Sequence, residues 1–117
     1  MLMCKKMNYS HIVHKCWGHE LIIVNNELYC GKILHIDKGT SLHLQYHKLK
    51  DETLYVLSGI VTMTSGEYTY RMGPGEKRRI PPLTIHKVEA KTDAEIIEIS
   101  TPHYDADTYH VKAKPLS

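Results

Sequence analysis

The sequence predicts an all-β domain of antiparallel strands forming a small barrel or sandwich, and three observations carry that prediction. Runs rich in Val, Ile, Leu, Thr and Tyr recur about every ten residues, the rhythm of short strands in sandwiches and barrels. Clusters of Asn, Asp, Gly and Pro separate these runs. No window of about eleven residues or more sustains a 3.6-residue apolar stripe, so no amphipathic helix competes.

Taken in order, strands are expected over residues 20–24, 28–36, 41–46, 53–58, 61–64, 68–72, 77–80, 86–90 and 94–100. Asn25-Asn26 supplies side chains that tolerate positive φ, Asp37-Lys38-Gly39 and Ser65-Gly66 each supply a glycine, and Gly73-Pro74-Gly75 forces a tight reversal. Pro81-Pro82 removes two backbone donors and should end a strand or lie on an edge. Residues 1–17 and 102–117 carry no strong pattern and are expected to be arms around a core of about 18–101. Leu42, Leu44 and Tyr46 should face outward and be covered by an arm or by a second copy, so a homodimer is expected.

The totals bound the function. At 117 residues the chain is one domain, and 24% charged with 42% apolar residues is the composition of a soluble globular protein. A net charge of +2 with scattered Lys and Arg offers no stripe for nucleic acid, and nothing approaches a membrane span. Lys5 and Lys6 interrupt any signal-peptide stretch, and Cys4, Cys16 and Cys30 form neither an even disulfide set nor a C-x-x-C knuckle; a cytoplasmic protein with reduced thiols is expected. Cys30 reads as an inert buried thiol, and Trp17 as a core residue.

Nine histidines remain to be placed. In the stretch from Gly39 to Gly59, alternation puts His43, Gln45 and His47 on one strand face. Three polar groups facing a packed interior would each cost about 1–3 kcal/mol unless something satisfied them, and a cation does so. Glu52 follows His47 after a short connection and brings a carboxylate beside the imidazole; His86 arrives on a later strand after the Gly75 turn and the Pro81 turn. Gln45, His47, Glu52 and His86 are therefore the candidate ligands of one divalent metal ion.

The two stretches together resemble the cupin superfamily. Its first motif, G-x5-H-x-H-x3-4-E-x6-G, is matched by Gly39, Gln45, His47, Glu52 and Gly59, with Gln45 in place of the first histidine. Its second, G-x5-P-x-G-x2-H-x3-N, is matched by Gly75, Pro81 and His86, with Leu83 in place of glycine and Ala90 in place of asparagine. The resemblance implies a single cupin jelly-roll β-barrel, with the ligand set of mixed nitrogen and oxygen donors suited to Zn, Fe, Mn, Ni or Co, zinc first among them.

Within that superfamily the chain is most similar to mannose-6-phosphate isomerase type cupins, through Trp17-Gly18, Lys32, Leu42-His43-Leu44-Gln45-Tyr46-His47, Glu52 to Gly59 and Glu98-Ile99-Ser100. The resemblance implies a metal-dependent aldose/ketose isomerase or epimerase acting on a sugar or sugar phosphate. Lys50, two residues before Glu52, and His43 are then the catalytic candidates. Arg78, Arg79 and Lys32 are the substrate-binding candidates, one of the two arginines facing inward by alternation. The tail, with Asp105 and Asp107 but no arginine, lacks the arginine-bearing closing segment of the bacterial isomerases and motivates a non-catalytic sugar-binding alternative. A mononuclear non-haem iron dioxygenase would use the same four ligands.

Overall fold

The computed structural model describes residues 11–112. Eleven strands run in chain order: β1 (His11–Lys15), β2 (Gly18–Asn25), β3 (Cys30–Ile36), β4 (Gln45–His47), β5 (Glu52–Ser58), β6 (Val61–Ser65), β7 (Tyr68–Met72), β8 (Lys77–Ile80), β9 (His86–Ala90), β10 (Ala94–Ser100) and β11 (Thr108–His110). One 3-10 turn, Asp105–Asp107, is the only helical element among the described residues, and no helix is long or apolar enough to cross a membrane. The strands form two antiparallel sheets, β1-β2-β3-β10-β5-β8 and β11-β4-β9-β6-β7.

Alternation explains the interior. In β3 the side chains of Cys30, Lys32, Leu34 and Ile36 are buried while the residues between them are less so; Glu52, Leu54 and Val56 of β5, His86, Val88 and Ala90 of β9, and Ala94, Ile96, Glu98 and Ser100 of β10 repeat the pattern. The apolar members of these rows, with Val61, Met63, Met72, Ile80 and Trp17, form the core. Between β5 and β6, Gly59 turns at φ 84°, and a Cβ there would run into the backbone carbonyl of Asp93, so the turn requires glycine.

The expected spans for β7, β8, β9 and β10 coincide with the observed ones. The differences lie in the segments taken as arms. β1 pairs along β2 from His11–Ile22 to Lys15–Gly18, and β11 pairs with β4, so both arms extend sheets. The strand expected over 41–46 is reduced to Gln45–His47 preceded by a bridge at Ser41, and Leu42 packs against the core. Tyr46 does face outward, where the arm covers it: its ring stacks on Tyr109 of β11 at 5.1 Å. The expected positive φ at Asn25-Asn26 is not adopted; instead the Asn26 side chain accepts hydrogen bonds from the N–H groups of Leu28 and Tyr29. Cys4 lies outside the described residues.

Candidate metal centre and cavity

Three of the four expected ligands converge. His47 at the end of β4, Glu52 at the start of β5 and His86 at the start of β9 are all buried, and one donor atom from each lies within 4.8 Å of the others. Nε2 of His47 is 3.6 Å from Oε2 of Glu52, and Nε2 of His86 is 3.3 Å from Oε1. Tetrahedral ligands at zinc bond lengths lie about 3.4 Å apart, so these spacings are those of a coordination shell. Gln45, the fourth, is the register partner of His86 in the β4–β9 ladder and lines the adjoining cavity.

The donors are also oriented for a cation. His47 Nδ1 contacts the carbonyl oxygen of Asp107 at 3.1 Å and His86 Nδ1 that of Thr84 at 2.9 Å. A carbonyl only accepts, so each Nδ1 carries a proton and each Nε2 is the nitrogen that faces Glu52; at His86 it donates to the carboxylate when the ring is charged, and a cation would take the lone pair left when that proton leaves. Oε2 of Glu52 is buried without a hydrogen-bond partner among the described residues, and a cation would satisfy it. The residues present therefore fit a divalent ion held by His47, Glu52 and His86.

Electrostatics separate the two imidazoles. Burial, assisted by Lys50 and His86, holds His47 below its usual range and keeps it neutral despite Glu52. Burial also acts against a charge on His86, but its hydrogen bond and ion pairing with Glu52 prevail and raise it. For Glu52 itself, burial favours the acid form and is outweighed by His86, Lys50 and His47, leaving the carboxyl below its usual range.

His47 of the triad lines a cavity of about 430 Å³ whose wall carries both cations and carboxylates. Lys32 of β3 reaches Glu20 of β2 at 3.1 Å, and Lys15 of β1 approaches the same carboxylate at 3.7 Å. Lys50 donates to Glu98 at 2.9 Å and lies 3.5 Å from Glu52. Burial works against the Lys50 ammonium, but Glu98 and Glu52 outweigh it and raise Lys50. Beside it Cys30 is inert, its thiol pushed up by burial and by Glu98. His43 lines the cavity from an exposed position, stacked on His110 at 5.3 Å with Cys16 Sγ 3.8 Å away.

Two expected binding residues are elsewhere. Arg79 is exposed and forms a two-pronged pair with Asp51 at 3.0 and 2.6 Å. Arg78 shares the face of buried Ile80, as alternation requires, but β8 is an edge strand and there the guanidinium lies 3.4 Å over the ring of Tyr70. Neither arginine lines the cavity.

The tail supplies what sequence reasoning missed. His103, Asp105, Thr108 and His110 all line the cavity. The carboxylate of buried Asp107 accepts from the backbone N–H groups of Lys48, Leu49 and Lys50 and so fixes the connection between His47 and Glu52. The signal available in the sequence was only the density of Asp and His in a segment without strand rhythm.

Comparison with known proteins agrees with this picture. The family model described as mannose-6-phosphate isomerase C-terminal matches residues 4–112. A mannose-1-phosphate guanylyltransferase of Salmonella typhimurium is 33% identical over 94 residues, 79% of this chain and 20% of that protein; one from Salmonella muenchen is 29% identical over 97 residues, 81% and 20%. The chain thus spans about a fifth of the length of the curated relatives it matches. KdgF from Halomonas sp. superposes with a TM-score of 0.74 at 18% identity, covering 85% of this chain and 98% of its own. An RmlC-like cupin from Shewanella frigidimarina gives 0.74 at 17%, covering 83% and 87%. Oxalate decarboxylase from Bacillus subtilis gives 0.79 at 17%, covering 87% and 30%. The fold is a cupin jelly roll.

Proposed function

Because the chain belongs to the mannose-6-phosphate isomerase C-terminal family, we propose that it is a single-metal cupin that binds a small sugar or sugar phosphate and interconverts its aldose and ketose forms, or epimerises it beside the carbonyl. The observation that carries this reading is the ion-ready triad, whose His47 lines a cavity walled by both cations and carboxylates, Lys32 with Glu20 and Lys50 with Glu98. A polyhydroxy ligand offers donors and acceptors on every carbon, so such a wall can exchange its own pairings for ligand hydroxyls.

A bound divalent ion would supply Lewis-acid polarisation of adjacent carbonyl and hydroxyl oxygens. The rest falls to the protein. Lys50 presents an ammonium to oxygen that gains charge, and Gln45 offers an amide beside His86. Lys15, with a side chain 40% exposed and a long contact to Glu20, is the cavity cation free to swing to a phosphate.

The test is deuterium exchange. Protein loaded separately with Zn, Mn, Fe, Co or Ni is incubated in D2O with a panel of aldoses, ketoses and their phosphates, and label at C1 or C2 is read by mass spectrometry. Incorporation supports the isomerase; none with any metal and sugar removes it. A non-catalytic sugar-binding domain is the second reading, favoured by the two arginines lying outside the cavity. It predicts a saturable thermal shift with sugar and no exchange.

A further inference from the structure

We infer that Cys16, His43 and His110 hold a second cation, a thiophilic ion of the zinc class, on the exposed part of the cavity wall; the inference stands without the isomerase reading. All three residues are exposed and line the cavity that His47 also lines. Cys16 Sγ lies 3.8 Å from Nε2 of His43. A thiolate and an imidazole on one tetrahedral zinc, with bonds of about 2.3 and 2.0 Å, place sulfur and nitrogen about 3.5 Å apart. The pair is therefore within a few tenths of an ångström of a coordination edge. The rings of His43 and His110 lie 5.3 Å apart, the same separation as His47 and His86 in the triad.

Three pieces of backbone bring these donors together. Cys16 occupies the turn between β1 and β2, next to buried Trp17, whose carbonyl accepts from the Asp37 N–H at 2.8 Å and from the Thr40 hydroxyl at 3.0 Å. His43 leads into β4, and His110 ends β11; the Val111 N–H continues their pairing by donating to the Leu44 carbonyl at 2.9 Å. The group is looser than the triad, which alone among the described residues brings three such donors within 4.8 Å of one another. Cys16 and His43 are the preformed pair. His110, exposed at a strand end, closes the site by turning about its own side-chain bonds.

This donor set differs from the triad in kind. A thiolate with two imidazoles selects softer ions than a carboxylate with two imidazoles, and three protein ligands leave a fourth tetrahedral position open to water or a ligand. On binding, the Cys16 thiol gives its proton to solvent and the freed sulfur electron pair bonds the ion, so one proton leaves for each ion taken up. Four residues of extended chain, about 13 Å, separate His43 from His47. The two ions therefore act singly and not as the pair about 3.5–4 Å apart of two-metal catalysis.

Cobalt(II) added to the full, reduced chain tests the site, because no ligand of the triad is sulfur and a thiolate bound to cobalt gives a charge-transfer absorption. Wild-type protein is expected to develop that absorption. Cys16→Ser should remove it without abolishing cobalt binding at the triad, and Cys4→Ser should retain it. His43→Ala and His110→Ala should each weaken the sulfur-bound ion at least about tenfold. Because all three residues are exposed, wild-type thermal midpoints are expected for these variants and show that each has folded. A wild-type chain without the absorption, or absorption that survives Cys16→Ser or is lost with Cys4→Ser, overturns the site. Unchanged affinity for the sulfur-bound ion in His43→Ala or His110→Ala overturns it as well.

Discussion

The interior of the sandwich has two halves built from the same strands. Toward one end the buried rows read Leu34 and Ile36, Leu54 and Val56, Val88 and Ala90, Ala94 and Ile96; toward the other they read Lys32, Glu52, His86, Glu98 and Ser100. Backbone pairing continues through both: Glu98 faces Lys32 and Leu54 in the ladder that also joins Ile96 to Leu34 and Val56. The apolar half stabilises by burial and packing. The polar half carries desolvation costs that ion pairs offset only in part, and such costs are kept where chemistry needs them. The apolar and the polar rows therefore occupy separable ends of one sandwich.

The sharpest way to break this comparison is a deletion in the apolar half. Leu54, 1% exposed, truncated by Leu54→Ala should cost about 3 kcal/mol through lost transfer energy and a residual cavity. Denaturant titration would read the loss, and metal stoichiometry should remain that of the wild type; loss of metal would show the halves to be coupled.

The converse is His86→Ala. Metal affinity should fall at least about 100-fold, equivalent to about 2.7 kcal/mol, in chelator competition. The metal-free variant should lose less stability than Leu54→Ala loses.

Asp107 gives a smaller and pH-dependent effect. Burial acts against its charge, but the backbone N–H groups of Lys48, Leu49 and Lys50 outweigh it and hold the carboxyl below the ordinary 3.8. A depressed folded-state value means the contribution is present in full above the unfolded value and lost as pH falls through the folded one. Asp107→Asn should therefore cost about 1–2 kcal/mol at neutral pH, a gap that closes below about pH 4. Thermal midpoints of both proteins from pH 7 to pH 3 check this; a gap that stays constant would show that the charge is irrelevant.

Leu83 is the smallest case and runs in the opposite direction. It replaces the glycine of the second motif yet stands at φ 69°, the only non-glycine residue at positive φ among the described residues, while its N–H donates to the His47 carbonyl at 2.6 Å. Leu83→Gly relieves about 1–2 kcal/mol of strain against about 0.4–1 kcal/mol of added unfolded-state freedom. A rise in the thermal midpoint is expected, and a fall would show that Leu83 packs usefully despite its 67% exposure.

Much of the candidate metal centre was legible because its residues sit at fixed intervals within strands that alternate visibly. His47, Glu52 and His86 need only β4, β5 and β9 in their natural order to meet. The cavity wall was not legible in the same way. Lys15 and His103 come from segments without apolar alternation; β1 reads His11-Ile-Val-His-Lys15 and is mostly exposed, so only its pairing with β2 makes it a strand. Arg78 shows the opposite failure: alternation set its face correctly, but an edge strand led that face to Tyr70 instead of the cavity.

By itself, then, the sequence determined the all-β fold, most strand spans and the ion-ready triad, because periodicity and turn chemistry are local and the motifs fix spacing along the chain. Only the tertiary structure decided which cations face the cavity, that both arms complete the sheets, and that His103 stands beside the triad. Those facts depend on contacts between residues about fifty to eighty positions apart, Asp107 with Lys48 to Lys50 and His103 with Asn25, and no local pattern encodes such distances.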